Sequence, residues 1–196
     1  MKTFLFIDGT NLYAGQYELF GPKKYLCFPV FVKEIEKQLG IKFSKIHFYA
    51  SYSPKPKKIT KNVQLFLKNE AFFYKSVKKT PNVIFFRGYR SPTSGKEKEV
   101  DVKLAVDIVD FSHRNKFDKL YLLSGDADFH HALFVAKSLN KHVELLCLQN
   151  KVMHRASYHF RANILVFSSH NNRFTSQQKI VIVKLNANQL TQKVGE

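Results

Sequence analysis

Short apolar runs alternate along the chain with longer segments of helical period. The runs are TFLFID (3–8), KIHFYASY (45–52), NVIFFRG (82–88), KLYLLSG (119–125), HVELLCL (142–148) and NILVFSS (163–169). Between them, apolar spacing predicts helices near 28–39, 60–75, 100–115, 128–139 and 151–161. Runs apolar on both faces and separated by helices indicate a parallel sheet covered on both sides, an α/β domain. No internal repeat or low-complexity block breaks the pattern. The polar stretch HNNRFTSQQ (170–178) reads as a linker, and KIVIVKL (179–185) as one more strand, either an added edge strand or a contact for another subunit. The expected organisation is one domain over residues 1–169 and a C-terminal extension over 170–196, with a homodimer left open by the extra strand.

Composition adds a partner class. The chain has 196 residues, 44% of them hydrophobic, which is enough for one domain with its own core. Lys and Arg number 32 against 15 acids, a formal charge of +17, and such an excess attracts a polyanion. Nucleic acid is the expected partner. Between Lys37 and Lys96 the only acid is Glu70, whereas eight of the fifteen acids lie between Glu97 and Asp128, so a basic body carries an acidic centre. Only Cys27 and Cys147 are present, each among apolar residues, which points to buried thiols in a reducing compartment rather than a disulfide framework or metal knuckle. No apolar stretch reaches transmembrane length, and FLFI at 4–7 is too short for a signal peptide. The expected location is the cytoplasm, with no membrane partner.

Fold logic brings the acids together. In an open α/β sheet, ligands sit outside the carboxyl ends of the strands, where strand order reverses. With the usual reversal the first strand lies beside the fourth, and Asp8, which ends the first, faces Asp126, which follows the fourth. The helix feeding the fourth strand begins at the same edge. Asp101 lies in its first turn, with Ala105 and Ile108 beneath it, which predicts an inward face. Asp107 aligns instead with Lys103, Asp110 and Arg114 and reads as structural, on a polar face. Singly, each candidate has a plain reading: Asp8 as a turn residue, Asp101 as a carboxylate at a helix N-terminus, Asp128 as an N-cap. Together, four converging carboxylates would repel one another unless a cation compensates, and a hard ion such as Mg²⁺ or Mn²⁺ suits oxygen donors and phosphate.

Three segments carry a family resemblance. FIDGTNLY (6–13), KEVDVKLAVDIV (98–109) and LLSGDADF (122–129) resemble, in order and spacing, the motifs of the NYN domain in its LabA-like branch, within the PIN-like nuclease superfamily. The resemblance covers roughly residues 1–168. It implies a Rossmann-like three-layer α/β/α fold with a central, mainly parallel sheet, and metal-dependent ribonuclease activity with Mg or Mn. Carried over by position, it implies metal ligands at Asp8, Asp101, Asp126 and Asp128, with Asn11 beside Asp8 in the catalytic set and Ser124 shaping the loop. Asp107 also matches a commonly acidic family position. His130 and His131 depart from the family pattern, where aliphatic residues or proline are more usual. A His pair beside an acidic site can bind a softer metal or phosphate or donate protons, but the plainer expectation is one imidazole packed on the helix and one in solvent.

Rival chemistries fit less well. The DGT of FIDGT resembles haloacid dehalogenase-like phosphatases, but their nucleophilic position is occupied here by Phe6, which cannot form a phospho-enzyme. Ser124 precedes Gly125-Asp126 instead of sitting in a Gly-x-Ser-x-Gly elbow, and neither a Walker loop nor a Gly-rich dinucleotide fingerprint occurs. The competing class is a non-catalytic nucleic-acid-binding or regulatory adaptor, supported by the same basic surface. For strand contacts the expected residues are Arg90, Lys96 and Lys98, before Asp101, together with Arg155, Tyr158 and Arg161, which combine phosphate pairing with base stacking. RNA, in preference to DNA, is the substrate that the resemblance implies.

Overall fold

A computed structural model describes residues 1–54, 56, 58–91, 97–148, 163–170, 173–181 and 190–195. Strand β1 (Thr3–Asp8) leads into α1 (Gly9–Phe20), followed by β2 (Lys24–Leu26), α2 (Phe28–Leu39) and β3 (Lys45–Ala50). Then come α3 (Lys61–Lys78), β4 (Val83–Arg87), the hairpin β5 (Tyr89–Arg90) and β6 (Glu97–Lys98), α4 (Val100–His113) and β7 (Lys119–Leu123). After a 3-10 turn (Ala127–Phe129), α5 (His130–Ser138) precedes β8 (His142–Leu148), β9 (Asn163–His170), β10 (Arg173–Val181) and β11 (Thr191–Lys193).

The main sheet runs β10-β9-β8-β7-β1-β3-β4. Its β8-β7-β1-β3-β4 portion is parallel, while β9 and β10 are antiparallel additions at one edge. The first strand therefore lies beside the fourth apolar run, β7, as the reversal of strand order requires. Alternation along β1 supplies two cores: Leu5 and Ile7 pack with residues of α1, α2 and α3, and Phe4 and Phe6 pack with α4 and α5. This is the Rossmann-like three-layer α/β/α architecture. No helix among the described residues is long and apolar enough to cross a membrane.

Two parts of the sequence reading need correction. The stretch 170–178 read as a linker is largely strand, because β10 begins at Arg173 and pairs antiparallel with β9 from Arg173↔His170 to Val181↔Asn163. Backbone pairing to an existing edge needs no apolar alternation, which is why the polar composition misled. The end of the chain also returns to the domain: β11 pairs with β2, and Tyr25 donates from its hydroxyl to Gln192 Oε1 at 2.6 Å. Helix α1 was missing from the expected elements. Its buried residues include Gly9, Gly15 and Gln16, so its apolar stripe is thin. The inward amide of Gln16 is satisfied only by tertiary partners, donating to Asn69 Oδ1 at 3.2 Å and accepting from Leu26 N at 3.0 Å. The expected helix at 151–161 lies outside the described residues.

Gly9 lets α1 start directly on the sheet. A Cβ there would lie 2.2 Å from Phe48 Cε1 and 2.7 Å from the Tyr49 carbonyl oxygen. The backbone oxygen cannot move aside as a flexible side chain would. Gly9→Ala is therefore expected to destabilise the fold by about 1–3 kcal/mol, the usual range for overpacking, in denaturant unfolding. Unchanged stability would show that α1 can shift without loss.

Candidate active site

The described acidic site grows from the ends of β1 and β7. Asp8 closes β1 and is also the N-cap of α1, its Oδ1 accepting from Asn11 N at 2.9 Å. It is only 5% exposed. The N-terminus of a twelve-residue helix favours a carboxylate there, through its unpaired N–H groups and dipole. Across the strand pair, the Ser124 hydroxyl donates to Asp8 Oδ2 at 3.0 Å and accepts from Asp126 N at 3.0 Å. One serine thus ties the two acidic loops together.

The loop behind Ser124 is fixed by β8. Ser124 N donates to the Leu146 carbonyl at 3.1 Å, and the Cys147 thiol donates to the Ser124 carbonyl at 3.1 Å. Burial pushes the Cys147 thiol up to about 11, so it stays protonated and able to donate at neutral pH. Both cysteines are buried free thiols. Asn11, exposed in the first turn of α1, accepts from Gly125 N through Oδ1 at 3.3 Å and so closes the ring of contacts from the other side.

Asp126 and Asp128 are both exposed on the following turn. The cap is Asp126 rather than Asp128: its Oδ1 accepts from Asp128 N at 3.0 Å and starts the 3-10 turn. The helical segment begins one residue after Asp126, which puts Asp128 inside its first turn. His130 and His131 are both exposed, with the His130 ring edge-on to Phe134 at 4.4 Å.

Asp101 sits in the first turn of α4, but exposed instead of inward. Val100, Leu104, Asp107 and Ile108 form the buried face of that helix, and Asp101 is one step of about 100° away from Val100. The N-terminus of α4 nevertheless lies at the functional edge of the sheet. Gly88, just beyond β4, donates to the Ala50 carbonyl at 3.0 Å, and a Cβ on it would lie 2.3 Å from Val100 Cγ2. Glu99, with φ of +70°, turns the chain into the helix.

Asp107 is buried, contrary to the polar face expected for it. Tyr49 Oη donates to its Oδ2 at 2.8 Å, and Lys103 pairs with its other oxygen. Burial, and then the bond to Asp107, pushes the Tyr49 phenol well above its ordinary value. Asp107 thus joins β3 to α4 beneath the edge.

Of the expected strand contacts, Arg90 donates from Nε to the Tyr52 carbonyl at 3.1 Å, and Lys98 is exposed on β6. Lys96, Arg155, Tyr158 and Arg161 lie outside the described residues. The sequence reading passed over Tyr52, Arg87 and Tyr89, where Arg87 stacks its guanidinium 4.9 Å from the Tyr52 ring centre. The alternation of aromatic and basic residues in FFRGYR (85–90) was the available signal.

The donor set can be tested against a metal. Among the described residues, no three His, Cys, Asp or Glu side chains are close enough to form a metal-holding group. That rules out a closed all-protein cage there, of the kind structural zinc uses. An ion held by one or two carboxylates that keeps several waters, the usual behaviour of Mg²⁺, needs no such group. The oxygen-only chemistry of Asp8, Asp126 and Asp128 fits such an ion.

Fold and site together define an α/β domain with a carboxylate pair at the reversal of strand order. The chain belongs to the NYN domain family, whose model matches residues 2–169. A Vibrio parahaemolyticus protein of unknown function, VPA0982, is similar in structure, with a TM-score of 0.53 and 17% sequence identity over 89% of this chain and 96% of that one. The T5 D15 protein, co-crystallised with metal ions, gives a TM-score of 0.48 and 12% identity over 74% of this chain and 54% of its own. No curated protein matches the sequence.

Proposed function

We propose that this NYN-family protein is a divalent-metal-dependent nuclease that hydrolyses RNA phosphodiester bonds at the edge formed by Asp8, Asn11, Asp126 and Asp128. The observation that carries the reading is the Ser124 bridge, which holds the buried Asp8 carboxylate against the Asp126 loop at the strand-order reversal. The N-cap role alone would be served equally by Asn or Ser. The formal charge of +17 supplies the attraction for a polyanionic substrate.

In this reading Asp8 and Asp126 would hold Mg²⁺ or Mn²⁺, with Asp128, and Asp101 at the start of α4, supporting the site. The ion supplies positive charge to the phosphoryl oxygens as negative charge develops on them. Ser124 and the N-terminus of α1 fix the Asp8 carboxylate, and Asn11 positions solvent beside it. Basic residues of the β5–β6 hairpin, Arg90 and Lys98, bind backbone phosphates.

The basic surface, with a formal charge of +17, equally supports a second reading, a nucleic-acid-binding adaptor that does not cut. One panel separates the two. Purified protein is incubated with single-stranded and duplex RNA and DNA, with Mg²⁺, Mn²⁺ or chelator, beside Asp126→Asn. The expected result is metal-dependent cleavage, strongest on RNA, that chelator and the substitution both abolish. Cleavage surviving either one rejects the metal site, and salt-sensitive binding with no cleavage under any metal establishes the adaptor.

A further inference from the structure

The basic stretch from Lys37 to Lys96 has its one acid turned inward. Between Lys37 and Lys96 only Glu70 carries negative charge, and it is buried, accepting from Ser53 N at 3.0 Å and from the Ser53 hydroxyl at 2.7 Å. Most of the described cations of this stretch face solvent, with no surface carboxylate among its described residues. At the ends of β3 and β4 they are arranged around aromatic rings. Tyr52 packs edge-on to Tyr74 at 5.0 Å, the Arg87 guanidinium lies 4.9 Å from its centre, and Lys78 Nζ donates to its hydroxyl at 3.1 Å. The same ammonium sits 4.7 Å from the centre of the Phe85 ring.

Next to this cluster, Tyr89 is 54% exposed on the β5–β6 hairpin, opposite Lys98 in the strand register. The bond from Arg90 Nε to the Tyr52 carbonyl ties that hairpin to the cluster. A lone exposed tyrosine is ordinary. Here it stands beside an exposed arginine held by a ring and near Lys78 and Lys98, the combination of stacking face and positive charge that single strands need.

The cluster also lies near the acidic site. Asp8 pairs with Tyr49, and Tyr49 with Phe86, so Asp8 and the end of β4 share one row across the sheet. Two strand spacings separate them, about 10 Å.

We propose that Tyr89, Arg87 and Lys78 form a platform that captures single-stranded nucleic acid beside the acidic edge. Tyr89 stacks on an unpaired base, while Arg87 and Lys78 take phosphates. Duplexes keep their base faces inside the stack, so the platform selects single strands. This names the substrate class of the nuclease site and rests on that reading.

The test measures binding, in the full chain carrying Asp126→Asn, by fluorescence anisotropy. Labelled oligonucleotides of one sequence are offered as single-stranded RNA, single-stranded DNA and duplex. Tyr89→Ala is expected to weaken single-strand binding about tenfold, as loss of one stacked base does, with Tyr89→Phe retaining it and duplex affinity unchanged. Arg87→Ala is expected to weaken single-strand binding and lower its salt dependence by about one phosphate contact. The RNA and DNA arms decide which sugar is preferred. Single-strand binding indifferent to Tyr89→Ala, or a preference for duplex, overturns the platform and leaves the nuclease reading standing. If no nucleic acid binds at all, both fall.

Discussion

Asp8→Asn is expected to cut nuclease activity by about 10²–10³, the loss typical of removing one electrostatic group from a reacting centre, while the domain stays folded. The asparagine oxygen can still accept from Asn11 N, so the start of α1 keeps its cap. Its amide then faces the Ser124 hydroxyl, which is able to accept as well as donate. What disappears is the charge. Asp8→Ala separates structure from chemistry, because it removes the cap and leaves the buried Ser124 hydroxyl without this acceptor. The cap is worth about 0.5–2 kcal/mol and an unsatisfied buried hydroxyl about 1–3 kcal/mol, so the alanine variant should lose several degrees of Tm that the asparagine variant keeps. Paired melting curves and cleavage assays measure both. An Asp8→Asn protein that still cleaves within a few-fold of the original would remove Asp8 from the chemistry.

Stability is expected to fall as pH drops from about 6.5 to about 4, by up to about 3 kcal/mol from His47 alone. His47 lies on β3, 6% exposed, with its ring stacked on Phe6 at 5.2 Å and flanked by Phe4 at 5.5 Å and Phe111 at 5.2 Å. Its Nε2 has no hydrogen-bond partner among the described residues. Burial pushes the imidazole down to about 4; the Asp107 carboxylate opposes that shift, and Lys45 and Lys103 add to it. Above pH 6.5 the ring is neutral in both folded and unfolded chains. Below that the unfolded chain takes up a proton the folded one refuses, and the loss continues until the folded ring protonates near pH 4. His47→Phe keeps the aromatic stack and has no proton to gain, so its stability should decline less across this window. Denaturant unfolding at several pH values reads the difference, and equal slopes for the two proteins would show that other groups carry the acid sensitivity.

The same residue shows where sequence stops being informative. KIHFYASY reads as a strand whatever its neighbours, because its β-branched and aromatic residues fit a pleated surface. That His47 sits without a partner for Nε2 among the described residues, a few ångströms from Phe6, depends on β1 lying next to β3. The acidic centre between Glu97 and Asp128 teaches a similar lesson. Charge counting groups its carboxylates in one centre, and helix alignment already sets Asp107 apart beside Lys103; in the fold Asp107 pairs with Lys103 and Tyr49, Asp110 with Arg114, and Asp118 accepts from Lys2 N at 2.6 Å. These acids hold the fold. Asp126 remains at the edge, bridged to Asp8 through Ser124.

The sequence by itself determined the apolar runs that became strands, the helices at 28–39 and near 60–75, 100–115 and 128–139, and the opposition of Asp8 to Asp126. Each follows from local periodicity or from the general rule of strand order, which a linear pattern encodes. Tertiary structure alone decided three further features: helix α1, whose Gln16 needs Asn69 and Leu26 as partners; the start of β10 over 173–178, recruited by an open sheet edge; and the exposure of Asp101. All three depend on what another part of the chain offers. A carboxylate can be read from its own neighbours in sequence, but whether it is a cap, an ion pair or a ligand is set by the groups that folding brings against it.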